Sequence, residues 1–176
     1  MVIFLIGYMG CGKSTIGRMV AARLGAQFID MDKQIEQQAG MTVAEIFATR
    51  GEAAFRRMET EFLEQPFDPD GITVVATGGG APCQGDNMAV MNRAGRTIYF
   101  KMSPRRLIAR LGPGRAKRPL IKDMDDEQLL DFIGRSLAVR GPVYERAHLT
   151  IDCEGVGDEY IARHIEHYIE QTKNNI

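Results

Sequence analysis

The run Gly7-Tyr8-Met9-Gly10-Cys11-Gly12-Lys13-Ser14 constrains this chain more than any other stretch of it. It satisfies G-x-x-x-x-G-K-[ST] without a mismatch, and its flanks matter as much as the match. Val2–Ile6 before it is unbroken apolar sequence, as a parallel strand covered on both faces requires. Lys13–Leu24 after it carries Ile16, Val20 and Leu24 on one helical face and stops at Gly25. Strand, glycine-rich loop and helix form the context in which such a loop cradles phosphate. Its glycines let backbone N–H groups turn inward around the anion, and the helix points its positive dipole end at the same place. Lys13 then reaches the β- and γ-phosphates, and the Ser14 hydroxyl joins a Mg²⁺ shell. The alternative is a mere glycine-rich turn, which average composition produces in this pattern roughly once in a hundred chains of such length.

The rest of the sequence alternates in the same way. Gln27–Asp30 reads as a second short strand that ends in a carboxylate. Thr42-Val43-Ala44-Glu45 is a capping box opening a short helix, and Gly51 separates it from a charged helix over Glu52–Glu64. A turn cluster at 66–71 leads to a third strand over 72–76, ended by Gly78-Gly79-Gly80. A helix over 87–93 and a fourth strand over 97–100 follow, and Ser103-Pro104 starts another helix with proline at its first position. A long helix is expected over 125–140, a fifth strand at Leu149-Thr150-Ile151, and a last helix with Ile161, Ile165, Tyr168 and Ile169 inward. Five strands alternating with helices predict an α/β three-layer fold with a parallel sheet. No repeat, low-complexity tract or linker interrupts the 176 residues, so 1–176 is expected to be one domain.

Composition excludes several classes. Twenty-two Lys and Arg against 23 Asp and Glu leave a formal net charge of −1, which argues against a nucleic-acid partner bound over the whole surface. The apolar opening at 1–6 is too short for a signal-peptide core or a membrane span. Three widely spaced cysteines without metal-ligand spacing read as reduced thiols of a cytoplasmic protein. His148, His164 and His167 have no carboxylate or cysteine companions at metal spacing, and the last two are expected on an exposed helix face. No N-K-x-D stands late in the chain to select guanine. Asp68-Pro69-Asp70-Gly71 precedes the third strand and reads as a turn.

Two further constellations bear on chemistry. Asp30 and Asp32 follow the second strand, at the sheet edge where ligands collect in such folds. One carboxylate could hold the metal or its waters and the other accept a proton; the alternative is that Asp32 only caps the next helix. Between 101 and 122 stand eight basic residues and no acid: Lys101, Arg105, Arg106, Arg110, Arg115, Lys117, Arg118 and Lys122. On a Gly112-Pro113-Gly114 loop they suggest a lid over 112–121 that closes on transferring phosphate, or else a solvated charged surface. No aromatics are interleaved with this run after Phe100, which weakens a single-strand nucleic-acid reading.

Taken together, residues 7–18, Asp30-Met31-Asp32, the segment 51–59 with Phe55-Arg56-x-x-Glu59, Gly78-Gly79-Gly80, Arg118-Pro119-Leu120 and Arg140-x-x-x-Tyr144 resemble the shikimate kinase family. The resemblance implies a P-loop NTPase fold with five parallel strands in the order 2-3-1-4-5, a substrate-binding helical region over about 32–65, and phosphorylation of the 3-hydroxyl of shikimate by ATP with one Mg²⁺. By the family pattern Gly10, Cys11, Gly12, Lys13, Ser14 and Thr15 hold ATP, with Arg110 near adenine and Arg118 closing on the phosphates. Asp30 and Ser14 serve Mg²⁺, Asp32 contacts the reacting hydroxyl, Arg56 and Arg140 grip the substrate carboxylate, and the Gly79 N–H approaches substrate oxygens. A monomer without membrane or nucleic-acid partner is expected. Two departures stand out: Cys153-Glu154 where the family often has a basic residue near adenine, and Ala81-Pro82-Cys83 after the triple glycine. The competing readings are a gluconate-type or nucleoside-monophosphate kinase of the same fold and a non-catalytic nucleotide-binding regulator.

Overall fold

The unbroken apolar run at the start becomes the central strand, β1 (Val2–Ile6), with every residue buried. The computed structural model describes residues 1–112, 114 and 121–174. Around β1 lie β2 (Gln27–Asp30), β3 (Thr73–Ala76), β4 (Gly95–Lys101) and β5 (Leu149–Asp152), in the order β2-β3-β1-β4-β5. All four pairings are parallel, so the five C-terminal strand ends share one edge. This is the five-stranded order that the family resemblance implies.

Both faces of the sheet are covered, which explains why β1 lacks a polar alternation. Ile3 and Leu5 face α1 (Lys13–Leu24) and α8 (Asp158–Asn174), where Ile16, Val20, Ile161, Ile165 and Ile169 complete one core. Val2, Phe4 and Ile6 face the other way, into a second core with Met31 and Ile35 of α2 (Met31–Ala39) and Ile46 of α3 (Val43–Arg50). Phe55 and Phe62 of α4 (Glu52–Glu64) close that core. Each such fully buried side chain contributes about 1.5–3 kcal/mol relative to exposure. The α5 (Asn87–Ala94), α6 (Pro104–Leu111) and α7 (Asp126–Tyr144) helices fill the remaining crossovers.

Local signals acted where they were read. The capping box on α3 is formed in both directions, Ser103 caps α6, and Asp125 caps α7. Asp70 N–H bonds the Asp68 carboxylate within the turn before β3. Three differences from expectation exceed a single residue. The β4 strand starts at Gly95 rather than 97, because its register pairs Gly95 with Val2. The α7 helix continues through Pro142 to Tyr144, since a proline in the last turn forfeits only one internal bond. A short 3-10 turn, Ala81–Cys83, stands between the triple glycine and α5, where no helical turn was expected.

Candidate functional site

The phosphate loop follows β1, the two aspartates follow β2 and the triple glycine follows β3, so the topology alone collects them at one edge. Gly7, Gly10 and Gly12 all have positive φ, and Gly12 at +98° is the N-cap of α1. A side chain is strained there, and one at Gly12 would also meet the Arg110 guanidinium. The Lys13 ammonium is buried on the loop, donating to the carbonyls of Gly7 at 2.8 Å and Tyr8 at 3.0 Å. Thr15 is exposed on the first turn of α1, and Cys11 is fully buried, 3.6 Å from Lys13 Nζ.

The Ser14 hydroxyl donates to Asp30 Oδ2 at 2.6 Å, and the other oxygen of Asp30 accepts from Lys33 N–H at 3.4 Å. Asp30 is therefore the cap of α2; the alternative role for Asp32 as that cap is corrected. The cause is backbone conformation, because Asp30 is extended while Asp32 lies within the first helical turn. Freed from capping, Asp32 keeps a buried Oδ1 with no hydrogen-bond partner among the described residues. Burial pushes its carboxyl up, and the neighbouring charge of Asp30 adds to this, against the pull of Lys13 and Arg56. Ser14 and Asp30 are hard oxygen donors at a phosphate loop, a set that fits Mg²⁺, which usually takes one or two protein groups together with phosphate and water. Among the described residues no cluster of three His, Cys, Asp or Glu side chains forms a separate metal cage.

Each glycine of the triple faces a different neighbour. A Cβ at Gly78 would lie 2.5 Å from Glu59 Oε1 and 2.9 Å from Asp32 Oδ1. At Gly79 it would lie 3.1 Å from the Met9 backbone nitrogen, and at Gly80 it would lie 2.8 Å from Arg56 Nη1. The three glycines thus let β3 approach the acids, the phosphate loop and the arginine together. Arg56 is held from both sides, by Glu59 at 2.8 Å and Glu52 at 2.9 Å. Arg140 stacks over the Tyr8 ring at 5.6 Å, and one turn later the Tyr144 hydroxyl donates to the Gly79 carbonyl. Burial raises the Cys83 thiol, while the charges of Arg140 and Arg56 both pull it down. Arg56 lies against Gly80, and Arg140 lies over Tyr8, whose backbone faces Gly79, so two arginines 84 positions apart in sequence both border the triple glycine.

Arg110 donates through Nε to the Gly10 carbonyl at 3.3 Å and engages Asp158 with both terminal nitrogens, at 2.8 and 3.2 Å. Glu154 spends its carboxylate on the Ser103 N–H at 2.6 Å. Arg118 lies outside the described residues, as does most of the expected lid over 112–121; Gly112, Gly114 and Ile121 are described. His164 and His167 are exposed, as expected, and His148 instead bonds Thr97. Among the described residues, no helix is long and apolar enough to cross a membrane. Sequence reading missed the contacts of Asp158 and of the Tyr144 hydroxyl. Only the latter had a signal, four residues after Arg140 on the same helical face.

Glu59 supplies a stability test. Its carboxyl is wholly buried, with Oε1 unpartnered among the described residues, and desolvation pushes its pKa up to about 7 despite Arg56. An acid whose folded pKa exceeds its unfolded one costs stability as pH rises, here between the ordinary value of 4.5 and about 7. Urea melts at pH 5 and pH 8 should show wild type losing stability over that window, and Glu59→Gln losing less. An equal loss in both proteins would mean that Glu59 is ionised throughout.

A family model described as shikimate kinase matches residues 9–170 of the chain. A shikimate kinase of Bacteroides thetaiotaomicron is 40% identical over 158 residues, spanning 90% of this chain and 90% of that one. The crystal structure of shikimate kinase from Bacteroides thetaiotaomicron aligns with a TM-score of 0.84 and 38% identity, covering 97% of this chain and 98% of that one. Shikimate kinase from Acinetobacter baumannii, solved in complex with shikimate, aligns with a TM-score of 0.82 and 33% identity, covering 98% and 94%. The match runs from the phosphate loop into the last helix, over the sheet order just described, and on it the chain belongs to the shikimate kinase family.

Proposed function

We propose that this chain transfers the γ-phosphoryl group of ATP to the 3-hydroxyl of shikimate. The observation that carries the reading is the pair of guanidinium groups, Arg56 against Gly80 and Arg140 over Tyr8 of the phosphate loop, beside a buried carboxylate oxygen of Asp32 that has no partner among the described residues. Two cationic forks suit the planar carboxylate of a small acid, whereas a nucleotide acceptor would need a base pocket. The whole chain, 1–176, serves as one kinase domain, with the region 32–65 contributing the acceptor side.

In this reading Gly10, Cys11, Gly12, Lys13, Ser14 and Thr15 hold the phosphates through the loop backbone and the start of α1, and Arg110 lies on the nucleotide side. Ser14 and Asp30 would hold Mg²⁺, which neutralises charge on the phosphates when bound. Asp32 Oδ1 accepts the hydrogen bond, and then the proton, of the 3-hydroxyl. The substrate oxygen forms its bond to phosphorus as the bond to the β-phosphate oxygen breaks, and ADP leaves. Lys13 and Arg118 offset charge on the transferred group, while the Gly79 N–H orients the substrate. The protein works as a monomer, and its three free cysteines favour the cytoplasm as its compartment.

Turnover with Mg-ATP against shikimate, quinate, gluconate and nucleoside monophosphates tests the acceptor. Arg56→Lys tests the grip: a point charge cannot reproduce two directed hydrogen bonds, so KM for shikimate should rise about tenfold or more while KM for ATP stays within about twofold. An unchanged shikimate KM in both Arg56→Lys and Arg140→Lys would mean that the acceptor is not held there by its carboxylate.

A further inference from the structure

The segment after β5 runs along α6 and is bonded to it at every second residue. Glu154 accepts from the Ser103 N–H at the start of α6, and the Val156 carbonyl accepts from Arg106 Nη2 at 3.2 Å. Asp158 then takes Arg110 with both oxygens. The turn at Glu154 and Gly155, the Val156 backbone and the first residue of α8 thus meet successive turns of one helix. The strap does not end between the two elements. Its last member, Arg110, also donates to the Gly10 carbonyl, and its guanidinium lies against Gly12, where an added Cβ would fall 2.5 Å from Nη2. A carboxylate at the first turn of α8 therefore fixes a guanidinium on the phosphate loop, 48 positions away in sequence.

We propose that Asp158 is a positioning residue for the nucleotide: its bidentate hold on Arg110 keeps that guanidinium against Gly10 and Gly12 and so sets the affinity of the loop for adenine nucleotides. Without the carboxylate Arg110 is a long, freely rotating side chain that must be ordered on each binding event, and the loop loses a fixed neighbour. The bond from Nε to Gly10 alone constrains one end of a planar group. Two parallel bonds to a carboxylate fix the plane. A packing role for Asp158 is a separate matter, because only its effect on Arg110 reaches the nucleotide. The inference rests on the kinase reading for the place of the nucleotide, and it is tested by a measurement that needs no phosphoryl acceptor.

The experiment is equilibrium binding of ADP and ATP with Mg²⁺, by calorimetry, to the full chain carrying Asp158→Ala, Asp158→Glu or Arg110→Ala, or both Asp158→Ala and Arg110→Ala. Asp158→Ala should weaken nucleotide binding about fivefold to tenfold, and Asp158→Glu should recover most of that loss. The double variant should bind no worse than Arg110→Ala, because the carboxylate acts only through the guanidinium. In turnover, KM for ATP should rise by the same factor, with KM for shikimate unchanged within about twofold. A lowered melting temperature with unchanged nucleotide affinity would make the pair a structural strap only, and tighter binding in Asp158→Ala would make it a restraint on Arg110; either result overturns the proposal. If nucleotide binding follows the prediction while shikimate is not phosphorylated by wild type, the acceptor assignment fails and the inference about Asp158 stands.

Discussion

Lys13→Ala should leave a folded protein whose kcat at saturating Mg-ATP falls by about 10²–10³, a loss of roughly 3–4 kcal/mol of transition-state stabilisation. The ammonium is only 8% exposed and rests on the carbonyls of Gly7 and Tyr8, at the mouth of α1. A cation in so dry a place opposes charge on a transferred phosphoryl group far more strongly than one in water. Its removal costs the fold less, because the ammonium bonds two loop carbonyls and meets the first core at Cys11, 3.6 Å away, rather than filling it. The melting temperature should therefore fall by a few degrees, with about 1–3 kcal/mol at stake for carbonyls left unpaired. Near wild-type turnover by a folded Lys13→Ala protein would remove the phosphate loop from the mechanism.

The difference between what could and could not be read ahead lies in the range over which each contact acts. The phosphate loop, α1 and the α3 capping box are built by neighbours within a few residues, so their pattern is visible in a single stretch of sequence. Five strands were readable from short apolar runs; their order came through the resemblance, since no local pattern says that β3 pairs both β1 and β2. Asp30 and Asp32 have the same chemistry two positions apart. Which of them caps α2 was settled by backbone angles that depend on where β2 stops. The triple glycine announced a close approach, but its three neighbours come from α2, α4 and the phosphate loop. Glu59 could be paired with Arg56 from their helical spacing. Its burial could not be foreseen, because that requires β3 to pass over it at Gly78. Asp158 and Arg110 carry no mutual signal at all, and tertiary packing alone makes them partners.

Asp32→Asn should lower kcat by about 10²–10⁴ while ATP binding changes by less than about threefold. The substitution keeps the shape of the side chain and removes its charge and its basicity. Two observations favour the acceptor-side role proposed for Asp32 over that of a second metal group. Ser14 bonds Asp30, which also caps α2, so this pair stands together at the phosphate side and Asp32 takes part in neither bond. Asp32 Oδ1 is meanwhile buried without a partner among the described residues and sits against Gly78, on the side of the site where Glu59 and Arg56 stand. An unpaired buried carboxylate oxygen is costly to a fold, so a site retains one where a ligand satisfies it. Gly78→Ala extends the test without touching the acid itself. Its new Cβ would fall 2.9 Å from Asp32 Oδ1 and 2.5 Å from Glu59 Oε1, so at least one carboxylate must shift. That variant should raise KM for shikimate and lower kcat together, with KM for ATP preserved, if the displaced groups serve the acceptor as proposed. The decisive comparison is between Asp32→Asn and Asp30→Asn under Mg²⁺ titration. Asp30→Asn should need more Mg²⁺ for half-maximal rate, and Asp32→Asn should show the wild-type requirement at a depressed plateau. If the two titrations are exchanged, Asp32 serves the metal and the proton of the 3-hydroxyl leaves by another group.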